Sequence, residues 1–171
     1  IFDFIIDEEP EEFDIYIDKE CTVFLNTSKI TLAELSYMAG HEHMCTVFGF
    51  NGLPTFLNRN ILEASILQHG DEDKLRAVCR KLSTDVLIVE DRVGFVTPRV
   101  ICMIINEAYY SVQEGTASRN DIDLAMKLGT NYPYGPFEWC ERIGLKNIYT
   151  LLEALYDDTR DERYKISALM K

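Results

Sequence analysis

The sequence predicts an α/β domain with a mainly parallel sheet, followed by an all-α domain, and three observations predict it. From Phe2 to Val89, short apolar runs alternate with helical patterns, the order that winds strands and helices into a parallel sheet. After Gly94, helix follows helix with no further strand pattern. Between the two regions, D-R-V-G-F-V-T-P-R-V from Asp91 joins the strand V-L-I-V-E-D to a long apolar helix. The expected domains are residues 1–93 and 94–171.

Phe2 to Ile6 reads as a short buried strand. Asp7 to Asp18 is dense in carboxylates, with Pro10 near its start and Phe13, Tyr16 and Ile17 at helical spacing, so it reads as a solvent-facing helix with one apolar edge. Thr22 to Leu25 is a second strand, running straight into Asn26-Thr27-Ser28. Thr31 to Ala39 is a helix: Thr31 caps it, Glu34 completes a capping box and Gly40 stops it. Cys45 to Phe50 is a third strand, ended by the Asn51-Gly52 turn signal. After a loop with Pro54, Ile61 to Leu67 fits either a fourth strand or a helical turn. Asp71 to Leu82 is a helix with Leu75, Val78, Cys79 and Leu82 on one side, and Val86 to Val89 is the last strand.

In the second domain Pro98 suits a first helical turn, where its missing N–H costs nothing. The helix Val100 to Val112 is apolar on more than one face. Ile101, Ile104, Ile105, Ala108 and Val112 form one stripe, and Val100, Met103 and Tyr110 fall outside it. Such a helix is buried on more than one side, so it is expected to be the domain's central helix and to be shared with a second subunit in a homodimer. Asn106 and Glu107 interrupt it too early for a membrane span. Ser118 to Asp121 reads as a capping box, and Pro136 as another first-turn proline.

The formal net charge is −12, from 17 basic and 29 acidic residues. Nucleic acids and anionic membranes need a cationic surface, so neither is an expected partner. The five cysteines are far apart and mostly inside apolar runs. They read as buried thiols in a reducing compartment, which gives the expectation of a cytoplasmic protein. Ile1 to Ile6 contains Asp3 and has no resemblance to a signal peptide, while the chain opens mid-strand without an initiator methionine. Residues are therefore expected upstream of Ile1.

Ligands of open parallel sheets bind beyond the carboxyl ends of the strands. Two polar clusters fall there, Asn26-Thr27-Ser28 and Asn51. Their hydroxyl and amide groups suit a carbonyl-bearing ligand, since they hydrogen-bond without adding charge. Taken alone, the simpler reading is a strand-end turn in which Ser28 bonds its own backbone. His41-Glu42-His43 has metal-pair spacing without an evident third ligand and reads as a solvated loop, as does His69. Tyr132-Pro-Tyr-Gly-Pro136 reads as a rigid helix connection whose aromatics could also line a pocket. Neither G-x-G-x-x-G nor a P-loop occurs, so a complete nucleotide site is not encoded.

Residues 91–139 carry a long ordered pattern: D-R-V-G-F-V-T-P-R, then N-E-A from Asn106, D-I-D-L-A-M-K-L-G from Asp121 and G-P-F-E from Gly135. This resembles the 3-hydroxyacyl-CoA dehydrogenase family, in its 3-hydroxybutyryl-CoA dehydrogenase branch. Asn26-Thr27-Ser28 is similar to the family's S-N-T-S segment and Phe50-Asn51 to the end of its H-F-F-N-P segment. The resemblance implies a partial Rossmann-like parallel sheet, the later half of a nucleotide-binding domain, ahead of the helical dehydrogenase C-terminal domain. It also implies NAD-dependent oxidation of the 3-hydroxyl of an acyl-CoA, with a histidine–glutamate pair moving the proton. By resemblance Ser28 holds the reacting oxygen, Asn51 meets the substrate and Asn26 meets the cofactor. Phe48 stands in the histidine's place and Pro98 in that of an oxygen-holding asparagine. The glutamate falls on Asn60 without a gap, or on Glu63 with a longer loop. His41 or His43 could stand in as base. The alternative is a catalytically impaired relative, acting as an acyl-CoA-binding or structural dimer module.

Overall fold

In the computed structural model, which describes residues 1–40, 44–57 and 59–171, the chain forms two compact units, Ile1–Val96 and Thr97–Lys171. The first holds one five-stranded sheet in the order β1-β2-β3-β4-β5. Its strands are β1 (Phe2–Asp3), β2 (Thr22–Asn26), β3 (Thr46–Phe50), β4 (Ile61–Ile66) and β5 (Asp85–Val89). Helix α1 (Leu32–Ala39) connects β2 to β3, and α2 (Glu72–Lys81) connects β4 to β5.

The sheet is mixed. β1, β2 and β3 pair in parallel, β4 pairs antiparallel to β3, and β5 is parallel to β4. The sheet is therefore mainly parallel, as the sequence predicts, with the β3–β4 pair as its one antiparallel pairing. The β3–β4 connection carries no helix among its described residues, and a connection of that kind can return antiparallel, whereas a parallel return needs a crossover. Residues Ile61 to Ile66 settle as strand. Alternation then divides the side chains between two layers. Val23, Leu25 and Val47 pack under α1 with Leu32 and Leu35. Phe24, Phe48, Phe50 and Ala64 pack on the other face with Leu75 and Cys79 of α2.

Two early elements are shorter than their apolar patterns. β1 ends at Asp3 because the Asp3 carboxylate turns the chain, accepting the amides of Ile5 and Ile6 at 2.9 and 3.0 Å. Ile6 is buried, while Phe2, Phe4 and Ile5 stay exposed. The acidic segment winds as a 3-10 helix, Pro10–Ile15, with only Phe13 buried. Crowded carboxylates disfavour a longer helix there. By contrast, α1 forms as its sequence dictates. Thr31 accepts the Glu34 amide, Glu34 answers the Thr31 amide, and Gly40 ends the helix. In α2, Leu75 and Cys79 are buried while Leu82 is exposed past the helix end.

The second unit comprises α3 (Thr97–Gln113), α4 (Arg119–Thr130), α5 (Pro136–Ile143) and α6 (Leu145–Thr159), followed by two short 3-10 turns. The buried face of α3 is Pro98, Cys102, Ile105, Asn106, Ala108 and Tyr109. Ile101, Ile104 and Val112 of the expected stripe are only half-buried. The stripe shifts because Asn106 is an inward residue. Its amide donates to the Lys165 carbonyl at 2.8 Å and accepts the Ser167 amide at 3.0 Å, which pins the chain's last turns against α3. Asp123 of α4 caps α5 by accepting the amides of Phe137 and Glu138. Among the described residues no helix is long and apolar enough to cross a membrane, and none of the five cysteines is in a disulfide.

Candidate active site

The polar residues expected at the strand ends do converge. Asn26 is the last residue of β2 and is 5 % exposed, with Ser28 fully buried beyond it. The Ser28 hydroxyl donates to Asn26 Oδ1 at 2.7 Å, and the Gly52 amide donates to the same oxygen at 3.0 Å. Asn26 Nδ2 donates to the Phe4 carbonyl at 3.1 Å. One amide side chain therefore laces the segments after β1, β2 and β3. Gly52 is needed for this approach, since a Cβ there would lie 2.7 Å from Asn26 Cγ. Ser28 bonds a side chain rather than its own backbone, and its carbonyl accepts the Gly94 amide at 2.8 Å.

Asn51 is 2 % exposed, and its Oδ1 accepts the Leu53 amide at 3.3 Å in a local turn. Its own amide donates to the Glu63 carbonyl at 3.2 Å, so Glu63 lies across from it on β4. Glu63 is 9 % exposed and follows Leu62 and precedes Ala64, both of which face the α2 layer. Its side chain thus lies on the opposite face of the sheet from Phe48. Phe48 is fully buried, with its ring centroid 5.3 Å from that of Phe24. The structure brings Asn26, Ser28 and Asn51 to one strand-end cluster, and places Phe48 in the apolar layer beneath. Pro98 belongs to the first turn of α3 and is buried in the second unit. Asn60 is exposed and gives its carbonyl to the Asp85 amide at 2.9 Å. His41 and His43 lie outside the described residues.

Two groups escaped the sequence reading. Asp91 sits at the N-terminus of α1, where its carboxylate accepts the amides of Leu32 and Ala33 at 3.0 Å each, and also the Ser65 hydroxyl at 3.2 Å. The signal was visible as the first residue of the D-R-V-G-F run, but spacing alone does not reveal a partner 59 residues away. Asp7 is the second. Its side chain is 1 % exposed, with Lys29 Nζ 3.5 Å from Oδ2, and burial pushes its carboxyl up to about 6 against the pull of that ammonium. Lys29 follows Ser28 directly in the sequence.

The residues present do not fit the pyrophosphate of NAD. A helix N-terminus would be its natural seat. That of α1 already carries the Asp91 carboxylate, and the first turn of α2 carries Asp71, Glu72 and Asp73. What remains is a small uncharged cluster of hydroxyl and amides, suited to a carbonyl or hydroxyl oxygen.

Comparison with known proteins bears on this geometry. Residues 94–171 match the sequence profile of the 3-hydroxyacyl-CoA dehydrogenase, C-terminal domain. Over 86 residues the chain is 45 % identical to the 3-hydroxyadipyl-CoA dehydrogenase of Escherichia coli, covering 50 % of this chain and 18 % of that protein. It is 29 % identical to the probable 3-hydroxybutyryl-CoA dehydrogenase of Bacillus subtilis, over 85 % of this chain and 51 % of that one. The crystal structure of (S)-3-hydroxybutyryl-CoA dehydrogenase from Ralstonia eutropha superposes with a TM-score of 0.73 at 30 % identity, over 87 % of this chain and 53 % of that chain. The chain spans about half the length of these 3-hydroxybutyryl-CoA dehydrogenases. Residues 94–171 therefore match the family's C-terminal domain, and the Rossmann-like sheet that precedes them in sequence is similar to that of the 3-hydroxybutyryl-CoA dehydrogenases.

Proposed function

We propose that the protein acts on the 3-hydroxyl or 3-keto group of an acyl-CoA in fatty-acid or butanoate metabolism, as an NAD-dependent oxidoreductase of the cytoplasm. The observation that carries the reading is the Asn26–Ser28 pair, buried at the carboxyl end of β2 in a chain whose second unit is the family's C-terminal domain. In this reading Ser28 holds the reacting oxygen, and Asn26 positions Ser28 and borders the cofactor. Asn51 borders the substrate, and Glu63 is the carboxylate assigned to proton handling. To donate to a ligand oxygen, the Ser28 hydroxyl must turn away from Asn26, because it has a single proton to give. NAD supplies the hydride acceptor when bound. Its pyrophosphate is assigned to the earlier half of the family's nucleotide-binding domain rather than to these residues.

Phe48 cannot carry a proton, and loss of a positioned base slows such a transfer by on the order of 10²–10⁴-fold. Slow turnover is therefore the expectation. It is tested by fusing the part of the Ralstonia eutropha enzyme that precedes the matched region ahead of Ile1 and following NADH absorbance with acetoacetyl-CoA. Turnover at that enzyme's own rate would contradict the assignment of the proton step. Retained binding with no turnover at all would support the impaired, acyl-CoA-binding relative instead.

The reading includes a homodimer through the second unit. Val100 of α3 is 48 % exposed, and Leu124 and Leu128 of α4 are 54 % and 78 % exposed, while no residue of α4 is buried. A helix with this many apolar residues and none buried supports a subunit contact.

A further inference from the structure

The second unit contains a cavity of about 220 Å³ between α6 and the chain's last turns. Its walls are Tyr149, Tyr156 and Tyr164, with Glu153 on α6 and Lys165, Ile166 and Lys171 on the tail side. A second, more open groove continues from Tyr149 and Lys171 to Lys146. The tail wall is built in advance. Asn106 holds the Lys165 carbonyl and the Ser167 amide, and Gln113 Oε1 accepts the Ser167 hydroxyl and the Ala168 amide at 3.1 Å each. Tyr164, at the floor, accepts a hydrogen bond from Arg99 at 3.1 Å. A cavity whose walls are already ordered binds without first losing conformational freedom.

Size and chemistry narrow the ligand. Pockets for drug-sized molecules run from about 300 to 1,000 Å³, so this one takes a single ring system and excludes a whole dinucleotide. Tyrosine rings stack planar bases. A carboxylate such as that of Glu153 accepts from an exocyclic amine. In a chain of net charge −12, three lysines along one groove are a local exception, and they suit an anionic group at its mouth. Lys165 makes a surface pair with Glu162 at 3.3 Å, both about two-thirds exposed or more, and such pairs are readily exchanged for a better anion.

We propose that this cavity binds an adenine mononucleotide, with the purine against the rings of Tyr149 and Tyr156, its amino group on Glu153 and its phosphate on the lysine groove. The site is built from residues of the second unit alone.

The test titrates AMP into the 171-residue chain by calorimetry, alongside adenosine, IMP and inorganic phosphate. AMP should bind saturably below millimolar concentration, with adenosine and IMP each weaker by about tenfold, the loss of one charged or polar contact. Tyr149→Ala should weaken AMP by a similar factor. Because Tyr149 is half-buried, Lys165→Glu, at an exposed position, gives an independent measure: AMP should fall to the level of adenosine while adenosine is unchanged. Absence of saturable AMP binding at millimolar concentration overturns the proposal. So does AMP binding that is indifferent to Lys165→Glu, which would put the nucleotide elsewhere on the protein.

Discussion

The Ser28 hydroxyl gives its one proton to Asn26 Oδ1, 2.7 Å away, and the same oxygen also takes the Gly52 amide. Asn26 thereby joins three chain segments, whereas Ser28 contributes one bond to the cluster. Asn26→Ala strands a buried hydroxyl, a backbone amide and the Phe4 carbonyl at once. It should cost about 2–4 kcal/mol of stability, against about 1 kcal/mol for Ser28→Ala. Urea unfolding of the two variants checks the ranking. Equal losses would mean that Asn26 is not the tie between the strand ends.

Close packing around Gly49 gives a second prediction. A Cβ at Gly49 would lie 2.3 Å from Ser65 Oγ and 2.4 Å from Thr27 Oγ1, and Thr27 Oγ1 finds no hydrogen-bond partner among the described residues. Gly49→Ala should therefore destabilise the first unit by about 1–3 kcal/mol. Thr27→Val, which removes a buried hydroxyl without a partner, should be neutral or stabilising. Thermal melts of both variants decide. A large loss on Thr27→Val would show that the hydroxyl is bonded.

Asp7 gives the protein a pH dependence of defined sign. Burial raises its carboxyl to about 6, so the folded state favours the protonated form more than the unfolded state does. Its favourable contribution is complete below the unfolded value near 3.8 and is lost as pH rises through about 6. Asp7→Asn should therefore gain stability over the wild type between pH 4 and pH 7, by on the order of 1–3 kcal/mol. Urea midpoints at the two pH values, compared between the proteins, report this difference free of the other carboxylates. A constant difference would remove Asp7 as the cause.

Much of this architecture is legible in the sequence, and the parts that are not share a reason. The Thr31–Glu34 capping box is local, four residues long, and forms as read. The strand β4 is visible as an apolar run, but alternation is the same in either direction, so its antiparallel pairing to β3 is not. The buried face of α3 departs in part from the apolar stripe because periodicity counts apolar residues, and the decisive inward residue is Asn106, whose partners lie about sixty positions away. The same holds at the strand ends. Asn26 and Ser28 can be picked out by type and place, while the engagement of Asn26 with Phe4 and Gly52 depends on the assembled sheet.

Assembly through the second unit is tested with Ile104→Asp on α3 and Leu128→Asp on α4. Light scattering at micromolar concentration should show a dimer for the wild type and monomers for the variants, with unchanged far-ultraviolet circular dichroism. A wild-type monomer contradicts the homodimer.

With Asp91 on the N-terminus of α1, NAD should show no saturable binding to the 171-residue chain. Calorimetry showing tight, stoichiometric binding that Asp91→Ala alters would contradict this and locate the pyrophosphate on α1.

The central claim is that Ser28 holds the oxygen of an acyl-CoA ketone, and titration of acetoacetyl-CoA into the chain tests it most directly. Wild-type protein should bind saturably, and Ser28→Ala should weaken binding by one hydrogen bond, about 1 kcal/mol or roughly fivefold, with the fold intact. No binding, or binding of equal strength in the Ser28→Ala protein, would contradict the claim.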